Sequence, residues 1–199
     1  MLNILLLGPQ GSGKGTQAKR LASTYGLAHI ATGDMIREMK ELPTDAGREL
    51  KHVYDRGDLV SDELMIRLIR DRLDRGDTLP GFVLDGFPRT MAQAEALQEV
   101  LAELGRDLDA VLEFQVPNRE QLLDRMLKRA AEENRSDDTP EAIERRLELY
   151  ERETAPLVEY YRTRGNVVGV HADRTIDEVF HEIAEAVDQV QRRRNGGSA

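Results

Sequence analysis

The chain has 199 residues and a mass of 22.5 kDa, which is enough for one domain with a substantial apolar core. Its net charge of −9 argues against a general nucleic-acid or membrane-surface binder. The absence of cysteine excludes disulfides, a thiolate nucleophile and a cysteine-ligated zinc site. No apolar run is long enough to span a membrane and no signal peptide is visible, so we expect a cytoplasmic location.

Strand-like runs alternate along the chain with longer segments of helical periodicity. The strand-like runs cover Leu2–Leu7, Ala28–Ala31, Gly81–Asp85, 110–116 and 166–170. Residues 4–7 and 110–116 are mostly apolar on successive positions, as in strands that are covered on both faces. The alternation predicts an α/β fold in which helices flank a doubly wound parallel sheet.

The first strand-like run leads directly into a glycine-rich stretch, GPQGSGKGT, at residues 8–16. A turn of this kind between a strand and a helix lets several backbone N–H groups converge on one anion at the positive end of the helix. Lys14 adds a mobile positive charge for the β- and γ-phosphates of a nucleotide. The hydroxyl group follows at Thr16, with Gly15 directly after the lysine. The stretch predicts a phosphate-binding loop.

Two regions are too long and too helical to be simple connections between strands. The first covers residues 32–75, and its predicted helices span 33–41, 44–56 and 61–75. The second is a hairpin of two helices over residues 118–164, which flank a polar stretch at 130–138. Thr139 and Pro140 predict the cap and first turn of the returning helix. A polar loop with little to bury is expected to be mobile.

Further motifs follow the phosphate-binding loop in chain order. They are TGDMIR at 32–37, GDLVSDE at 57–63, DGFPRTMAQ at 85–93 and the hairpin arginines Arg125, Arg129, Arg135 and Arg146. Arg125 and Arg129 are four residues apart and therefore share one face of a helix. In an acidic chain, such grouped arginines indicate a local binding site for anions.

Together these motifs resemble those of the adenylate kinase family, and the resemblance covers essentially the whole chain. The family's loop has the same Gly-Lys-Gly-Thr-Gln ending, so Gly15 matches the family. Its Thr-Gly-Asp, Asp-Gly-Phe-Pro-Arg and Arg-x-Asp-Asp motifs are found here in the same order and spacing, the last at 135–138. The resemblance implies a P-loop nucleoside monophosphate kinase fold with a five-stranded parallel sheet and a short lid.

The resemblance also divides the single domain, residues 1–199, into three parts and assigns roles to residues. The parts are a core (1–31, 76–129 and 139–199), a region that binds the nucleoside monophosphate (32–75) and a short lid (130–138). The implied ATP-binding residues are Gly11, Ser12, Gly13, Lys14, Gly15, Thr16, Arg125, Arg129 and Arg174. The implied AMP-binding residues are Thr32, Gly33, Arg37, Leu59, Val60, Met65, Gly86, Arg89, Gln93, Arg135 and Arg146. The implied catalytic residues are Lys14, Arg89, Arg125, Arg129, Arg135 and Arg146.

Chemistry agrees with several of these implied roles. Arg37 and Arg89 resemble a clamp on the AMP phosphate, because a planar guanidinium grips two oxygens at once. Thr32 and Gln93 are expected to read the adenine of AMP, since an amide donates and accepts together. Met65 stands where the family often has valine. The adenine of ATP is expected between Arg125 and the segment 171–174.

The implied reaction is reversible transfer of the γ-phosphoryl group of ATP to AMP, which gives two molecules of ADP. Transfer is direct and in line, and lid closure excludes water. The resemblance implies Mg²⁺ bound with ATP, held largely through water by Asp85 with Thr16 nearby, and no zinc. The expected partners are these nucleotides alone, with no nucleic acid and no membrane, and we expect a monomer.

Three alternatives remain open at this point. A nucleotide-dependent switch protein is disfavoured because the guanine-reading Asn-Lys-x-Asp sequence is absent and Arg37 and Arg89 would be unexplained. A UMP or CMP kinase is disfavoured by Thr32 and Gln93, where the related pyrimidine kinases usually carry alanine and asparagine. A small-metabolite kinase would share the loop without needing an adenine-reading glutamine.

Overall fold

The computed structural model describes residues 1–133 and 137–196, and it contains a five-stranded parallel sheet. The strands are β1 (Leu2–Leu7), β2 (Ala28–Ala31), β3 (Gly81–Asp85), β4 (Ala110–Gln115) and β5 (Val167–His171). Their order across the sheet is β2-β3-β1-β4-β5, so β1 lies in the centre between β3 and β4.

Helices pack against both faces of this sheet. They are α1 (Lys14–Tyr25), α2 (Thr32–Lys40), α3 (Asp45–Asp55), α4 (Asp62–Leu73), α5 (Met91–Glu103), α6 (Arg119–Glu132), α7 (Pro140–Leu149), α8 (Leu157–Arg162) and α9 (Ile176–Gly196). No described helix is both long enough and apolar enough to cross a membrane.

The alternation of side chains along β1 creates two apolar cores. Leu5 and Leu7 join a core with residues of α2 to α5 and α8, whereas Ile4 and Leu6 join a core with residues of α1 and α9. Side chains of successive strand residues point to opposite faces, so a strand buried on both faces must be apolar throughout. This is why the continuous apolar run was a reliable signal for a central strand.

The predicted fold class is confirmed, and the five predicted strands match the observed ones within one residue at each end. The three helices predicted in residues 32–75 are also present, with ends shifted by at most two residues. Thr139 caps α7 as predicted, because its Oγ1 accepts a hydrogen bond from the Ala142 N–H at 3.2 Å.

The prediction of a simple two-helix hairpin over 118–164 was wrong in its returning limb. That limb consists of α7, a single π-helical turn at Tyr150–Thr154, and α8. The Ala155 N–H donates to the Tyr150 carbonyl, five residues earlier, at 2.8 Å. The physical cause is Pro156, which has no N–H to donate and interrupts regular helical bonding at this point.

The sheet topology brings the predicted motifs to one edge. The phosphate-binding loop follows β1, the motif beginning at Thr32 follows β2, and Asp85 ends β3. Asp85 pairs in register with Leu6 on one side and Ala31 on the other. Ligands of open α/β sheets bind beyond the carboxyl ends of the strands where the chain order reverses, and β1 is such a place here.

Candidate active site

The phosphate-binding loop connects β1 to α1 in a conformation that glycine permits. Gly13 caps α1 with φ of 88°, a left-handed conformation that a side chain would strain. Lys14 begins the helix and folds back over the loop. Its ammonium donates to the Pro9 carbonyl at 2.7 Å and to the Ser12 hydroxyl at 3.4 Å. The lysine is therefore held above the helix N-terminus, where a phosphate would bind.

The electrostatic surroundings of Lys14 disfavour its charge. The pKa of Lys14 is lowered to about 8, chiefly by burial and to a smaller extent by the positive charges of Arg89 and Arg129, although the negative charge of Asp85 opposes this shift. A group that loses solvation without an ion-pair partner regains stabilisation when an anion binds. The lowered pKa thus indicates a site prepared for a negatively charged ligand.

Asp85 lies against the first turn of α1. A Cβ atom added to Gly15 would be 3.4 Å from Oδ2 of Asp85, and both Asp85 and Thr16 line the same cleft. Within residues 1–133 and 137–196, no group of three or more acidic, histidine or cysteine side chains could hold a metal. One carboxylate and one hydroxyl suit a hydrated Mg²⁺ that arrives with nucleotide phosphates, because Mg²⁺ keeps several waters and uses few protein ligands.

The loop opens into a cleft of about 800 Å³. Of the described residues that line it, nine are lysine or arginine and four are aspartate or glutamate, although the chain as a whole carries a charge of −9. The cationic ones are Lys14, Lys19, Arg20, Arg37, Arg89, Arg125, Arg129, Arg146 and Arg174. This local excess of positive charge raises the concentration of anionic ligands in the cleft.

Three of these cations donate to backbone carbonyls and have no carboxylate partner among the described residues. Lys14 donates to Pro9 as described, Nε of Arg89 donates to Gly86 at 2.8 Å, and Nη1 of Arg125 donates to Ala172 at 2.9 Å. None of the three forms an ion pair with a residue that the structure describes. The pKa of Arg89 is lowered, chiefly by burial and then by the neighbouring charges of Arg146 and Arg37. These three side chains carry charge that a bound polyanion would balance.

Two of the hairpin arginines, Arg129 and Arg146, have carboxylate partners within the protein. Arg129 donates to the carboxylate of Asp138 at 2.6 Å, and Arg146 bonds to Asp137 at 3.0 Å and also to Asp138. Both aspartates are buried. Phosphates that recruit Arg129 or Arg146 must therefore compete with these carboxylates. Arg135, which the sequence also placed in this group, lies outside the described residues.

The second predicted anion site lies on the other side of the cleft. Arg37 contacts the carboxylate of Asp34, and its Nη1 donates to the Tyr54 hydroxyl at 3.0 Å. Burial alone would lower the pKa of Arg37, but Tyr54, Asp34 and Asp137 outweigh it and the pKa is raised. Arg37 and Arg89 both line the cleft, so the predicted clamp residues are brought together.

The two expected readers of adenine bond within the protein. Oγ1 of Thr32 donates to the Asp85 carbonyl at 3.1 Å, and Thr32 lines neither pocket. Oε1 of Gln93 accepts from the Arg89 N–H at 2.8 Å, and its Nε2 donates to Asp62 at 2.7 Å. A Gln amide has two donors and two acceptor sites, so one of each is left for a base.

Other predicted AMP-site residues line a second, smaller pocket beside the cleft. Leu59, Val60, Met65 and Gln93 meet there with Arg89. This pocket encloses only about 10 Å³, which is too small for a nucleobase, so it must widen to admit one. Gly86 lines the large cleft instead, with φ of 87°, and a Cβ at this position would be 2.5 Å from Oγ1 of Thr32.

The adenine of ATP was expected between Arg125 and the segment 171–174, and these two parts of the chain are in direct contact. Arg125 reaches the 171–174 segment through the Ala172 carbonyl. The side chain of Arg174 turns to Glu182 and donates to the His171 carbonyl at 3.3 Å. Two carbonyls of the segment thus already accept hydrogen bonds from arginine.

Three roles in this site were not anticipated from the sequence. Asp62 holds the Gln93 amide, Asp137 and Asp138 hold the hairpin arginines, and Tyr54 contacts Arg37. The three aspartates lie within motifs identified in the sequence, but the spacing of these motifs does not reveal the hydrogen-bond partners of the aspartates. Tyr54 lies in none of these motifs, and the sequence places it only within the predicted helix 44–56.

The parallel sheet, the loop after its central strand and the two groups of cations facing it define a P-loop phosphotransferase of the nucleoside monophosphate kinase class. Comparison with known proteins narrows this class. The sequence model of the adenylate kinase family, described as "Adenylate kinase", matches residues 6–166. The chain belongs to the adenylate kinase family.

Several curated relatives named "Adenylate kinase" match nearly the whole chain. The protein from Micrococcus luteus is 47% identical over 191 residues, which cover 96% of this chain and 93% of the relative. The protein from Stenotrophomonas maltophilia is 44% identical over 186 residues, covering 94% and 99% of the two chains. The protein from Maricaulis maris is 44% identical over 188 residues, covering 94% and 100%.

Proposed function

We propose that this protein transfers the γ-phosphoryl group of ATP to AMP, reversibly, and so forms two molecules of ADP. The observation that carries the proposal is the placement of Lys14, Arg89 and Arg125 around one cleft on backbone carbonyls. Lys14 belongs to the phosphate-binding loop, Arg125 lines the cleft near it, and Arg89 lines the cleft together with Arg37. Two anionic substrates whose phosphates meet between these groups would balance the charges.

In this proposal the chain works by position and charge. The loop N–H groups and Lys14 hold the β- and γ-phosphates of ATP, while Arg37 and Arg89 hold the phosphate of AMP. The attacking oxygen of AMP is already ionised at pH 7, so no general base is required. Phosphoryl transfer depends mainly on alignment and on stabilisation of the developing charge. Lys14 with Arg129, Arg135 and Arg146 would provide that stabilisation.

Mg²⁺ bound with ATP would neutralise charge on the β- and γ-phosphates, and Asp85 with Thr16 would hold it largely through water. The closeness of Asp85 to the first turn of α1 supports this role.

In this proposal two parts of the molecule move against the core, namely the AMP-binding region at 32–75 and the lid at 130–138. The small volume of the second pocket supports movement of the AMP-binding region, since a base must widen this pocket. The pairing of Arg129 and Arg146 with lid aspartates supports an exchange of partners when phosphates arrive. Closure around both substrates would keep water from becoming the acceptor.

Acceptor choice is proposed to be AMP, with Gln93 and Thr32 as readers of the base. We further propose that the protein acts as a monomer in the cytoplasm, where proteins rarely contain disulfides, and this chain has no cysteine to form one. The remaining alternatives predict other acceptors or none.

A screen of acceptors tests this function. The purified protein would be supplied with ATP and Mg²⁺ and with AMP, GMP, CMP, UMP or small alcohols in turn, and ADP formation measured for each. We expect AMP to give the highest kcat/KM. Preference for CMP or UMP would favour a pyrimidine kinase, and failure with every acceptor would favour a switch protein.

A further inference from the structure

Tyr54 places its hydroxyl at the second anion site, although no motif includes this residue. The side chain is 6% exposed and lines both the cleft and the smaller pocket. Its hydroxyl oxygen accepts from Nη1 of Arg37 at 3.0 Å. A Cβ atom added to Gly33 would be 3.5 Å from this hydroxyl and 3.4 Å from Arg37 Nη1. The hydroxyl, the guanidinium and the first turn of α2 therefore converge on one point.

Hydrogen-bond accounting leaves the phenol proton available. A tyrosine hydroxyl carries one donor and accepts through its lone pairs. Here the described bond to Arg37 uses the oxygen as an acceptor, since a guanidinium can only donate. The O–H group can then donate to an oxygen that Arg37 also contacts. A phosphate supplies several such acceptors, and bonds to a charged acceptor are stronger than neutral ones.

Two further cations contact the ring of Tyr54 and help to hold it in place. Nζ of Lys40 lies 5.2 Å from the ring centroid and Cζ of Arg146 lies 5.1 Å from it. Nη2 of Arg146 also donates to the backbone carbonyl of Tyr54 at 3.2 Å. The hydroxyl is thus fixed before a ligand binds, which reduces the entropy lost on binding.

We propose that the hydroxyl of Tyr54 donates a hydrogen bond to the phosphate of the acceptor nucleotide, beside Arg37 and Arg89. This inference rests on the proposed function, which places that phosphate between the two arginines. It makes Tyr54 a binding residue that contacts substrate, and not only a support for Arg37.

The variant Tyr54→Phe tests the proposal, because it removes the hydroxyl and keeps the ring against Lys40 and Arg146. We expect the dissociation constant for AMP to rise about tenfold, as for loss of a hydrogen bond to a charged group. The affinity for adenosine, which lacks the phosphate, is expected to stay unchanged. The KM for ATP is also expected to stay close to wild type.

Tyr160→Phe is the matched control, since the Tyr160 hydroxyl bonds to Gln98 at 2.9 Å on an exposed surface outside the cleft. It should leave AMP and adenosine binding unchanged. Equal weakening of AMP and adenosine by Tyr54→Phe would mean that Tyr54 supports the pocket as a whole, and would overturn the proposal. Unchanged AMP binding would overturn it as well.

A double-mutant cycle separates direct donation from positioning of Arg37. If Tyr54 donates to phosphate directly, Tyr54→Phe still weakens AMP binding when Arg37 is already replaced by alanine. If its effect vanishes in Arg37→Ala, the hydroxyl acts only through Arg37 and the proposal is overturned. A wild-type protein that binds no AMP would overturn the proposed function and this inference together, whereas normal wild-type binding with an unaffected variant overturns this inference alone.

Discussion

Lys14 carries its positive charge without an ion pair to any described carboxylate, in surroundings that lower its pKa to about 8. Arg89 and Arg125 are in a similar position, each on a backbone carbonyl. A desolvated cation without a partner weakens the folded protein and is retained where its charge serves a ligand. At the scale of single residues, the site therefore contains positive charges that a bound anionic ligand, and not a carboxylate of the protein, would balance.

The first prediction removes this charge. Lys14→Met is expected to lower turnover by at least about 10²-fold, because it deletes a donor directed at developing charge. The melting temperature without nucleotide should not fall, since Lys14 has no ion pair to lose. Turnover and thermal unfolding would be measured beside the control Lys128→Met, whose side chain is 76% exposed. A folded Lys14→Met protein with normal turnover would contradict the assigned role.

The second prediction concerns protons. Phosphates stabilise the charged lysine, so ATP binding should raise the pKa of Lys14 from about 8 in the free protein. At pH 8 roughly half of the free protein then lacks this proton and takes it up when ATP binds. Calorimetric titration in two buffers of different ionisation enthalpy measures the uptake. Lys14→Arg should show none of it, because its guanidinium stays charged; equal uptake by both proteins would contradict the prediction.

At the scale of elements, Lys40 links the region 32–75 to the lid. Its side chain is 4% exposed, and its Nζ lies 2.5 Å from Asp55 of α3 and 3.5 Å from Asp137. The pKa of Asp137 is lowered: burial would raise it, but Arg146, Lys40 and Arg37 outweigh burial. One ammonium thus joins two parts of the molecule that the proposed reaction must bring together.

The third prediction breaks this link. Lys40→Met is expected to reduce the free energy of unfolding by about 2 kcal/mol, less than the roughly 3–5 kcal/mol for a buried pair broken outright. The loss is smaller because Asp137 keeps Arg146 and Asp55 keeps Lys51. Denaturant unfolding would measure it, with Lys51→Met as the partly exposed control, expected to lose no more than about 1 kcal/mol. An equal loss of unfolding free energy in both variants would contradict the prediction that Lys40 contributes more to stability than Lys51.

The elements themselves were largely predictable. A run of apolar residues predicts a buried strand such as β1, and the Thr139–Pro140 cap predicts the start of α7. Both signals depend only on neighbouring residues and can therefore be recognised in the sequence. The interruption between α7 and α8 was not predicted. Pro156 is visible in the sequence, but its effect on the helix depends on which backbone carbonyls still accept hydrogen bonds in the folded chain. Tyr54 could not have been placed from sequence, because its contacts with Lys40, Arg37 and Arg146 join three separate elements.

At the scale of the whole molecule, charge is unevenly distributed. The chain is acidic, yet the described lining of its cleft is strongly basic, so anionic substrates are drawn to one place on an otherwise repelling surface. Asp138 and Asp137, in the proposed lid, pair with Arg129 and Arg146 respectively. Comparison with known proteins shows that the chain belongs to the adenylate kinase family. The proposed reaction, which needs two anionic nucleotides in one cleft, accounts for this distribution of charge.

The measurement that tests the central claim most directly is the stoichiometry of the reaction with ATP, AMP and Mg²⁺ present together. Phosphorus NMR would follow all species in one sample, with Arg89→Met as the variant that weakens the AMP clamp. We expect one ATP and one AMP to disappear for every two ADP formed, without release of inorganic phosphate, and a far slower reaction in the variant. Release of phosphate from ATP while AMP remains unchanged would contradict the account.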